Sequence, residues 1–500
     1  SELAEEIALT SDGGIVETIA FTREPAANFC SDIPHSHFSL LNSQLSTLNS
    51  QLSTLNSQLS TLMSPRIAYI TAGAGGMFCG SCLHDNALAK ALGKAGWDVT
   101  LVPLYTPIRT DEQNQSVDQV FFGGINVYLQ QKIPLFRHLP RFVDRILDSP
   151  RLIRRVTSKA IEVDASKLGD LTLSVLQGTD GNQRKEVRRL VEWLGREVRP
   201  DVIVVTNMLV AGFSREWKRA HSAPVLVTLQ GDDLFLSGLP AQWREKCLAE
   251  IRRIDPSVDG YLVHSHAYGD LISSFLGLPR EKLHVTPLGI DTADYQELPP
   301  RPARDGKFRI GYFARLAKEK GLHQLVDAFI ALRQLPGTEQ TRLELAGWLS
   351  PEAKGFVEAQ FQRLRDAGLE SDFHYYGVLD RAEKLDFLRR IDLLSVPTEQ
   401  AEPKGLFVLE ALAAGTPVVQ PAVGAFPEML ADSGGGVLVP PGEPQQLAGA
   451  WWELLHDRDR LLQMGAAGRA YVLARRSGPQ MATSTADVLE QFIAGREKKG

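Results

Sequence analysis

The run Glu402-Pro-Lys-Gly-Leu-Phe-Val-Leu-Glu410, continuing as Ala-Leu-Ala-Ala-Gly415-Thr-Pro-Val-Val419, organises the rest of the chain around it. It reads as a Pro/Gly loop, an apolar helix and a strand. Gly415 stands where a helix takes a left-handed residue after its last turn, and Thr416-Pro417 cannot prolong the helix. The helix therefore begins near Leu406, and its first unpaired N–H groups point towards the loop that carries Glu402. A helix start of this kind offers an anion both backbone donors and a positive dipole end. Glu410 lies a little over one turn deeper, on the face shared with Leu406. A phosphate at the helix start leaves an attached ribose within reach of Glu410, whose carboxylate accepts from both sugar hydroxyls. Taken singly, either glutamate also reads as a helix cap or a surface residue.

Outward from this segment the pattern is α/β. Ile67–Ile70 is an apolar strand, Gly73–Gly76 a tight loop, residues 80–95 a helix ended by Gly96, and Val99–Val102 the next strand. Further strands are predicted at Val202–Thr206, Val225–Leu229, Tyr261–His264 and His284–Thr286. After these come Phe308–Phe313, Arg342–Ala346, Phe373–Tyr376, Ile391–Val396 and Pro417–Val419, with helical segments between. Strands that alternate with helices make doubly wound parallel sheets, in which a ligand lies beyond the carboxyl ends of the strands. Residues 130–200 lack strand signals and read as a helical insertion.

The expected organisation is an N-terminal Rossmann-like domain over 64–290, a linker over 291–307 and a C-terminal Rossmann-like domain over 308–480, with a last helix and tail over 481–500. Pro299, Pro300 and Pro302 stiffen the linker. Residues 1–63 read as a disordered or misassigned extension, with Met63 as the natural start of the folded part. Leu-Asn-Ser-Gln-Leu-Ser-Thr occurs there three times, at 41–47, 48–54 and 55–61. Its leucines formally satisfy a coiled-coil seam, so a short oligomerising helix is the alternative.

Five hundred residues exceed one hydrophobic core, and 43% apolar with 23% charged residues is ordinary for a soluble globular protein. A formal net charge of −6 argues against a general nucleic-acid binder. No apolar run is long enough to span a bilayer, and the first residues lack a secretory pattern. Four cysteines make no disulfide framework, so a cytoplasmic location is expected. The window 132–159 holds eight Lys and Arg against Asp144 and Asp148. It reads as a solvated helical face or as a peripheral contact with an anionic membrane.

Other segments carry chemistry. Gly311-Tyr-Phe-Ala-Arg315-Leu-Ala-Lys-Glu-Lys320 brings a guanidinium and an ammonium directly after a strand, where they can grip phosphate oxygens. The Gly73–Gly76 loop is no dinucleotide fingerprint, because position 78 is Phe and Leu104-Tyr105 stand where an acid would be needed. Cys79-Gly-Ser-Cys82-Leu-His84 has no second ligand pair for zinc, so no metal is expected. His84 is read as facing the cleft, where it would touch acceptor or sugar. In Gln230-Gly-Asp232, the Asp232 carboxylate holds a donor or acceptor hydroxyl, acts as an acceptor base, or caps the following helix. Gly377 is expected where a nucleobase approaches the backbone.

Together these segments resemble the family 4 retaining glycosyltransferases, enzymes of two facing Rossmann-like domains (the GT-B fold). The resemblance covers roughly residues 65–480. The Glu402–Glu410 string resembles that family's E-x7-E motif, and Phe426-Pro-Glu428 and Gly435-Gly-Val-Leu-Val-Pro-Pro-Gly442 resemble its continuation. Pro287-Leu-Gly289-Ile-Asp291 resembles the family's hinge segment. Lys404 departs from the pattern, which carries an apolar residue there, and so bears on which sugar fits.

The resemblance implies transfer of a sugar from a nucleoside-diphosphate sugar to a hydroxyl of a carbohydrate, lipid or small-molecule acceptor, with the anomeric configuration kept and no cofactor. Glu402 would hold the sugar and Glu410 the ribose, while Arg315 and Lys320 would hold the diphosphate with the amides around Gly405, Leu406 and Phe407. Gly75 and Gly76 would lie near the donor phosphates and the acceptor. A same-fold epimerase or phosphorylase, or a non-catalytic nucleotide-binding partner of another transferase, is the alternative.

Overall fold

A computed structural model of the chain describes residues 64–73, 80–108, 110–117, 120–122, 168–299, 301 and 305–497. The expectations for 1–63, for Gly75 and Gly76, for Cys79 and for the basic window 132–159 lie outside the described residues.

Two six-stranded sheets carry the fold. In the first, β1 (Arg66–Thr71), β2 (Asp98–Pro103), β3 (Val202–Val205), β4 (Val225–Thr228), β5 (Gly260–Val263) and β6 (Leu283–Val285) lie in the order β2-β1-β3-β4-β5-β6. In the second, β7 (Phe308–Phe313), β8 (Thr341–Ala346), β9 (Phe373–Tyr375), β10 (Leu393–Leu394), β11 (Val418–Pro421) and β12 (Gly436–Val439) lie in the order β12-β11-β10-β7-β8-β9. Every pairing is parallel. Each sheet therefore winds outward in both directions from an interior first strand, β1 or β7. Where the second sheet has β9, the first has a single parallel bridge from Ser116 to Leu101. The central strands are unbroken apolar runs, such as Val-Ile-Val-Val in β3, buried along their whole length as a sheet covered on both faces requires.

The helices that matter for the cleft are α1 (Gly80–Lys94), α2 (Asp232–Ser237), α3 (His266–Leu276), α4 (Arg381–Arg390), α5 (Leu406–Ala413), α6 (Phe426–Ala431) and α7 (Gly478–Glu497). α5 begins at Leu406, as its sequence predicts. It ends in a Schellman turn: Gly415 adopts φ +77, its N–H donates to the Leu412 carbonyl at 2.9 Å, and that of Thr416 donates to Ala411 at 2.9 Å. Leu409 and Leu412 are fully buried, each contributing roughly 1.5–3 kcal/mol of apolar burial. α5 is thus anchored in the core of the second domain.

Three features differ from the sequence reading. The strand expected over Ile391–Val396 pairs only at Leu393–Leu394, because β10 is short and central. β12 was not expected, since its glycines mask a strand pattern of four residues. The stretch 291–307 is more than a spacer: it contains a short helix, Ala293–Gln296, whose Tyr295 is fully buried in the second domain's core beside Leu394 and Val408. Of the expected insertion, the described part holds helices Gly169–Leu176 and Arg184–Trp193.

α7 returns to the first domain. Met481, Ala482 and Leu489 share a buried cluster with Ile67, Tyr69, Leu88 and Leu92, and Phe492 meets His284 edge-on at 5.2 Å. Ile290 N–H donates to the Arg476 carbonyl at 2.9 Å, so the outgoing and returning crossings between the domains run side by side.

Candidate active site between the domains

The second domain supplies a charged cluster over the start of α5. After β7, the Tyr312 hydroxyl donates to the carbonyls of Arg315 at 2.9 Å and Lys320 at 3.5 Å, fixing the loop that carries both cations. Lys320 forms an ion pair with Glu402, although 82 positions separate them. The other Glu402 oxygen accepts from the amides of Gly405 at 3.3 Å and Lys404 at 3.4 Å. Burial alone would raise the Glu402 carboxyl. Lys320, Lys404 and the Gly405 amide outweigh it and hold the group below the usual carboxylate range. Gly405 caps α5 with φ +71, and an added Cβ there would lie 2.9 Å from the Phe426 ring. Leu406 and Phe407 open the helix, so the helix itself supplies their amides with no partner. The Phe407 ring lies 6.0 Å from the Lys320 ammonium. Arg315 pairs with Glu319 and is half exposed.

Glu410 shares a face with Leu406, and both line a small cavity of about 20 Å³ with Leu83, Asp111, Glu112, Tyr295 and Arg381. Its carboxylate is not left open. Lys384 of α4 donates to Glu410 at 2.7 Å and to Asp111 of the first domain at 2.5 Å. Arg381 donates to Glu112 at 3.2 Å and to Asp294 at 2.9 Å. Lys384 is 4% exposed, and its ammonium titrates above the usual lysine range. Burial works against that charge, and the carboxylates of Glu410 and Asp111 overcome it.

Two more contacts close the cleft. The Lys404 ammonium donates to Ser81 Oγ at 2.7 Å and to Gln230 Oε1 at 3.1 Å, both in the first domain. The Glu428 carboxylate of α6 accepts from the His266 and Ala267 amides, at 2.9 and 2.6 Å, at the start of α3. Gln230 is held from behind, its Nε2 donating to the Thr206 carbonyl at 2.8 Å and to Asp85 at 3.2 Å. Asp85 is fully buried and also accepts from Thr71 at 2.7 Å, Thr206 at 2.6 Å and Tyr69 at 3.0 Å.

The structure therefore brings Lys320, Glu402, Gly405, Leu406 and Phe407 together, and places Glu410 one turn deeper beside Lys384. Asp232 requires a correction. It is 2% exposed, and its carboxylate accepts from the amides of Met208 at 2.7 Å and Gln230 at 3.3 Å, tying two loops together rather than facing a substrate. Burial pushes it up to about 6. Gly377 lies at the end of β9, where its carbonyl accepts from Gly347 N–H at 2.8 Å. Sequence reasoning missed Lys384, Asp111, Glu112 and Gln230. The capping box of α4, Asp380 with Glu383, was the only local signal near Lys384. Lys404, noticed as a departure from the family pattern, turns out to bridge the domains.

Two parallel-sheet Rossmann-like domains, joined by side-by-side crossings, are the architecture of the GT-B fold. Known proteins agree. Residues 295–471 match the family described as "Glycosyl transferases group 1", and residues 86–289 match "Glycosyl transferase 4-like domain". The two matches fall on the two domains in turn, so each half of this GT-B chain is similar to a glycosyltransferase domain.

A glycogen synthase of Mycobacterium tuberculosis is 28% identical over 305 residues, covering 59% of this chain and 69% of that protein. A GDP-mannose-dependent phosphatidylinositol monomannoside mannosyltransferase of the same species is 27% identical over 320 residues, covering 61% and 76%. Among solved structures, sucrose-phosphate synthase from Thermosynechococcus elongatus superposes with a TM-score of 0.61 at 20% identity, over 86% of this chain and all of that one. Anabaena HepE in complex with UDP superposes with a TM-score of 0.59 at 18% identity, over 85% of this chain and all of that one. No described helix is long and apolar enough to cross a membrane.

Proposed function

We propose that the chain is a family 4 retaining hexosyltransferase, using the E-x7-E pair Glu402 and Glu410 on a nucleoside-diphosphate sugar and an acceptor hydroxyl. The observation that carries this reading is the Lys320–Glu402 ion pair at the start of α5. A cation, a carboxylate and a helix start from distant parts of the sequence meet at one point.

Lys320 and Arg315, with the amides of Leu406 and Phe407, receive the diphosphate and take up the charge that develops as the glycosidic bond breaks. Arg315 is exposed enough to exchange Glu319 for phosphate oxygens. Glu402 then exchanges Lys320 for hydroxyls of the sugar. Glu410, oriented by Lys384, accepts from the ribose. Among the described residues no second carboxylate is assigned as a nucleophile, so the acceptor attacks from the face the leaving group departs, and closure of the two domains excludes water. Charge neutralisation by the two cations serves in place of a cofactor or metal. The acceptor is a carbohydrate, lipid or small-molecule alcohol, met in the cytoplasm, with the basic window 132–159 as a peripheral membrane contact.

Thermal unfolding with UDP, GDP and ADP tests the donor site, and one nucleotide should raise the Tm selectively. Labelled transfer with the matching nucleotide sugar, with and without phosphate, separates transfer from phosphorolysis, and NMR of the product gives the anomeric configuration. Glu402→Gln and Lys320→Met proteins that unfold like the wild type yet transfer sugar at an undiminished rate would end the proposal.

A further inference from the structure

His264 lies at the carboxyl end of β5 and is 8% exposed. Its Nδ1 stands 3.0 Å from the Thr286 carbonyl oxygen, which only accepts, so Nδ1 carries the proton and Nε2 presents a bare lone pair. Among the described residues that lone pair has no partner. A buried acceptor left unmet is costly and calls for a donor.

The neighbours do not supply one. His84 meets the His264 ring edge-on, with centroids 4.6 Å apart, and its Nδ1 is turned to Asp85 at 3.3 Å. The Lys404 ammonium is engaged by Ser81 and Gln230. Lys404 is nevertheless close: burial first, then the charges of His84 and Lys404, hold His264 well below the usual imidazole range and keep it neutral. His84 stands one turn beyond Ser81 on α1, Ser81 accepts from Lys404, and Lys404 lies two residues beyond Glu402, so His264 lies on the first-domain side of the place where Glu402 would hold the sugar.

We propose that His264 is a specificity-determining residue of the transfer reaction, its Nε2 accepting a hydrogen bond from a hydroxyl of the transferred sugar. This rests on the glycosyltransferase reading of the same cleft. A site built around a hydroxyl rejects the analogue that lacks it, because the buried acceptor is then left bare.

The test uses the full chain with 15N-labelled histidines, free nucleotides, and whichever of UDP-glucose, GDP-mannose and ADP-glucose the labelled transfer assay consumes. In the free protein the Nε2 resonance should lie in the unprotonated, unbonded range. It should move upfield with the nucleotide sugar and stay unmoved with the nucleotide alone. Wild-type protein should discriminate about 10- to 100-fold in kcat/KM against one singly deoxygenated form of that donor. His264→Phe should abolish the discrimination at that position only, and His264→Gln, which keeps an acceptor, should restore part of it.

A nucleotide that raises the Tm, together with an Nε2 resonance insensitive to the nucleotide sugar, overturns the inference and leaves the transferase reading standing. A resonance already hydrogen-bonded and unmoved in every state assigns the lone pair to an ordered water and overturns it equally. If no nucleotide raises the Tm and no donor is consumed, both readings fall.

Discussion

Replacing Lys384 with methionine should be among the most damaging single changes to this chain, although Lys384 is proposed to touch no substrate. The Lys384 side chain is 5% exposed, and its ammonium sits between Asp111 at 2.5 Å and Glu410 at 2.7 Å, whose side chains are 11% and 14% exposed. Methionine fills a similar volume, so packing changes little, but two buried carboxylates lose their shared cation. Breaking a buried pair from one side costs about 3–5 kcal/mol, because the remaining charge stays desolvated. For a domain of this size each kcal/mol lowers the Tm by about 2–4 °C, so a fall of roughly 6–20 °C is expected.

Charge and pH fix where this holds. Burial would raise the Asp111 carboxyl, but Lys384 and Arg381 hold it below the usual range. Its contribution is therefore present above the unfolded carboxylate pKa of about 4 and is lost as pH falls through the lower folded value. Lys384 is shifted upward, so its contribution is present below about pH 10 and is lost as pH rises through the higher folded value. In the variant burial raises the Asp111 carboxyl with Lys384 no longer opposing it, so the deficit should be largest near neutral pH and shrink as pH falls towards the acidic limit. Urea unfolding of Lys384→Met, Asp111→Asn and the double variant at pH 7 makes the assay. The double variant should be more stable than Lys384→Met alone, since it leaves one carboxylate fewer without a cation. A Lys384→Met protein within about 1 kcal/mol of wild type, or a double variant less stable than the single one, would refute the reasoning.

Asp232→Asn should flatten the pH dependence of stability, at the cost of the weaker amide contact, since its side-chain nitrogen cannot accept from the Gln230 N–H. The folded carboxyl is pushed up to about 6, so its contribution is fully present below about pH 4, fades as pH rises through 6, and leaves a penalty of roughly 3 kcal/mol at neutral pH. Matched urea titrations from pH 4 to 8 check this. Gly405→Ala should cost about 1–2 kcal/mol for a left-handed backbone, with a further loss from the Phe426 contact, and should weaken nucleotide binding by displacing the α5 amides. Calorimetric titration reads the affinity. Glu428→Ala removes the carboxylate from the first amides of α3, an interaction worth about 0.5–2 kcal/mol, and should shift the domains towards an open arrangement, seen as a larger radius of gyration in solution scattering.

The architecture was legible because strong local signals coincided with it. The Gly415 stop, the start of α5 at Leu406 and the apolar runs of β1, β3, β4 and β7 all follow from side-chain pattern and turn chemistry. The Lys320–Glu402 meeting was legible too, since loops at the carboxyl ends of parallel strands converge. What stayed hidden depends on the packing of one domain against the other. Nothing local to Thr110-Asp-Glu-Gln distinguishes Asp111 from a solvated turn, and Lys384 looks like any lysine on an amphipathic helix. Asp232 was misplaced for the same reason. Its acidity and loop position suit a cleft, but the nearby Met208 amide, 24 positions away, claims it.

The route of α7 sets an order of events during synthesis. Met481, Ala482 and Leu489 complete the hydrophobic cluster around Ile67 and Leu92, so the first sheet emerges from the ribosome long before the helix that seals its outer face. Until then a patch of that domain stays greasy and available to chaperones, while the second sheet is translated and folded. A fragment cut before Gly478 should behave as a half-built particle prone to aggregation, and adding a peptide spanning Gly478–Glu497 in trans should rescue it.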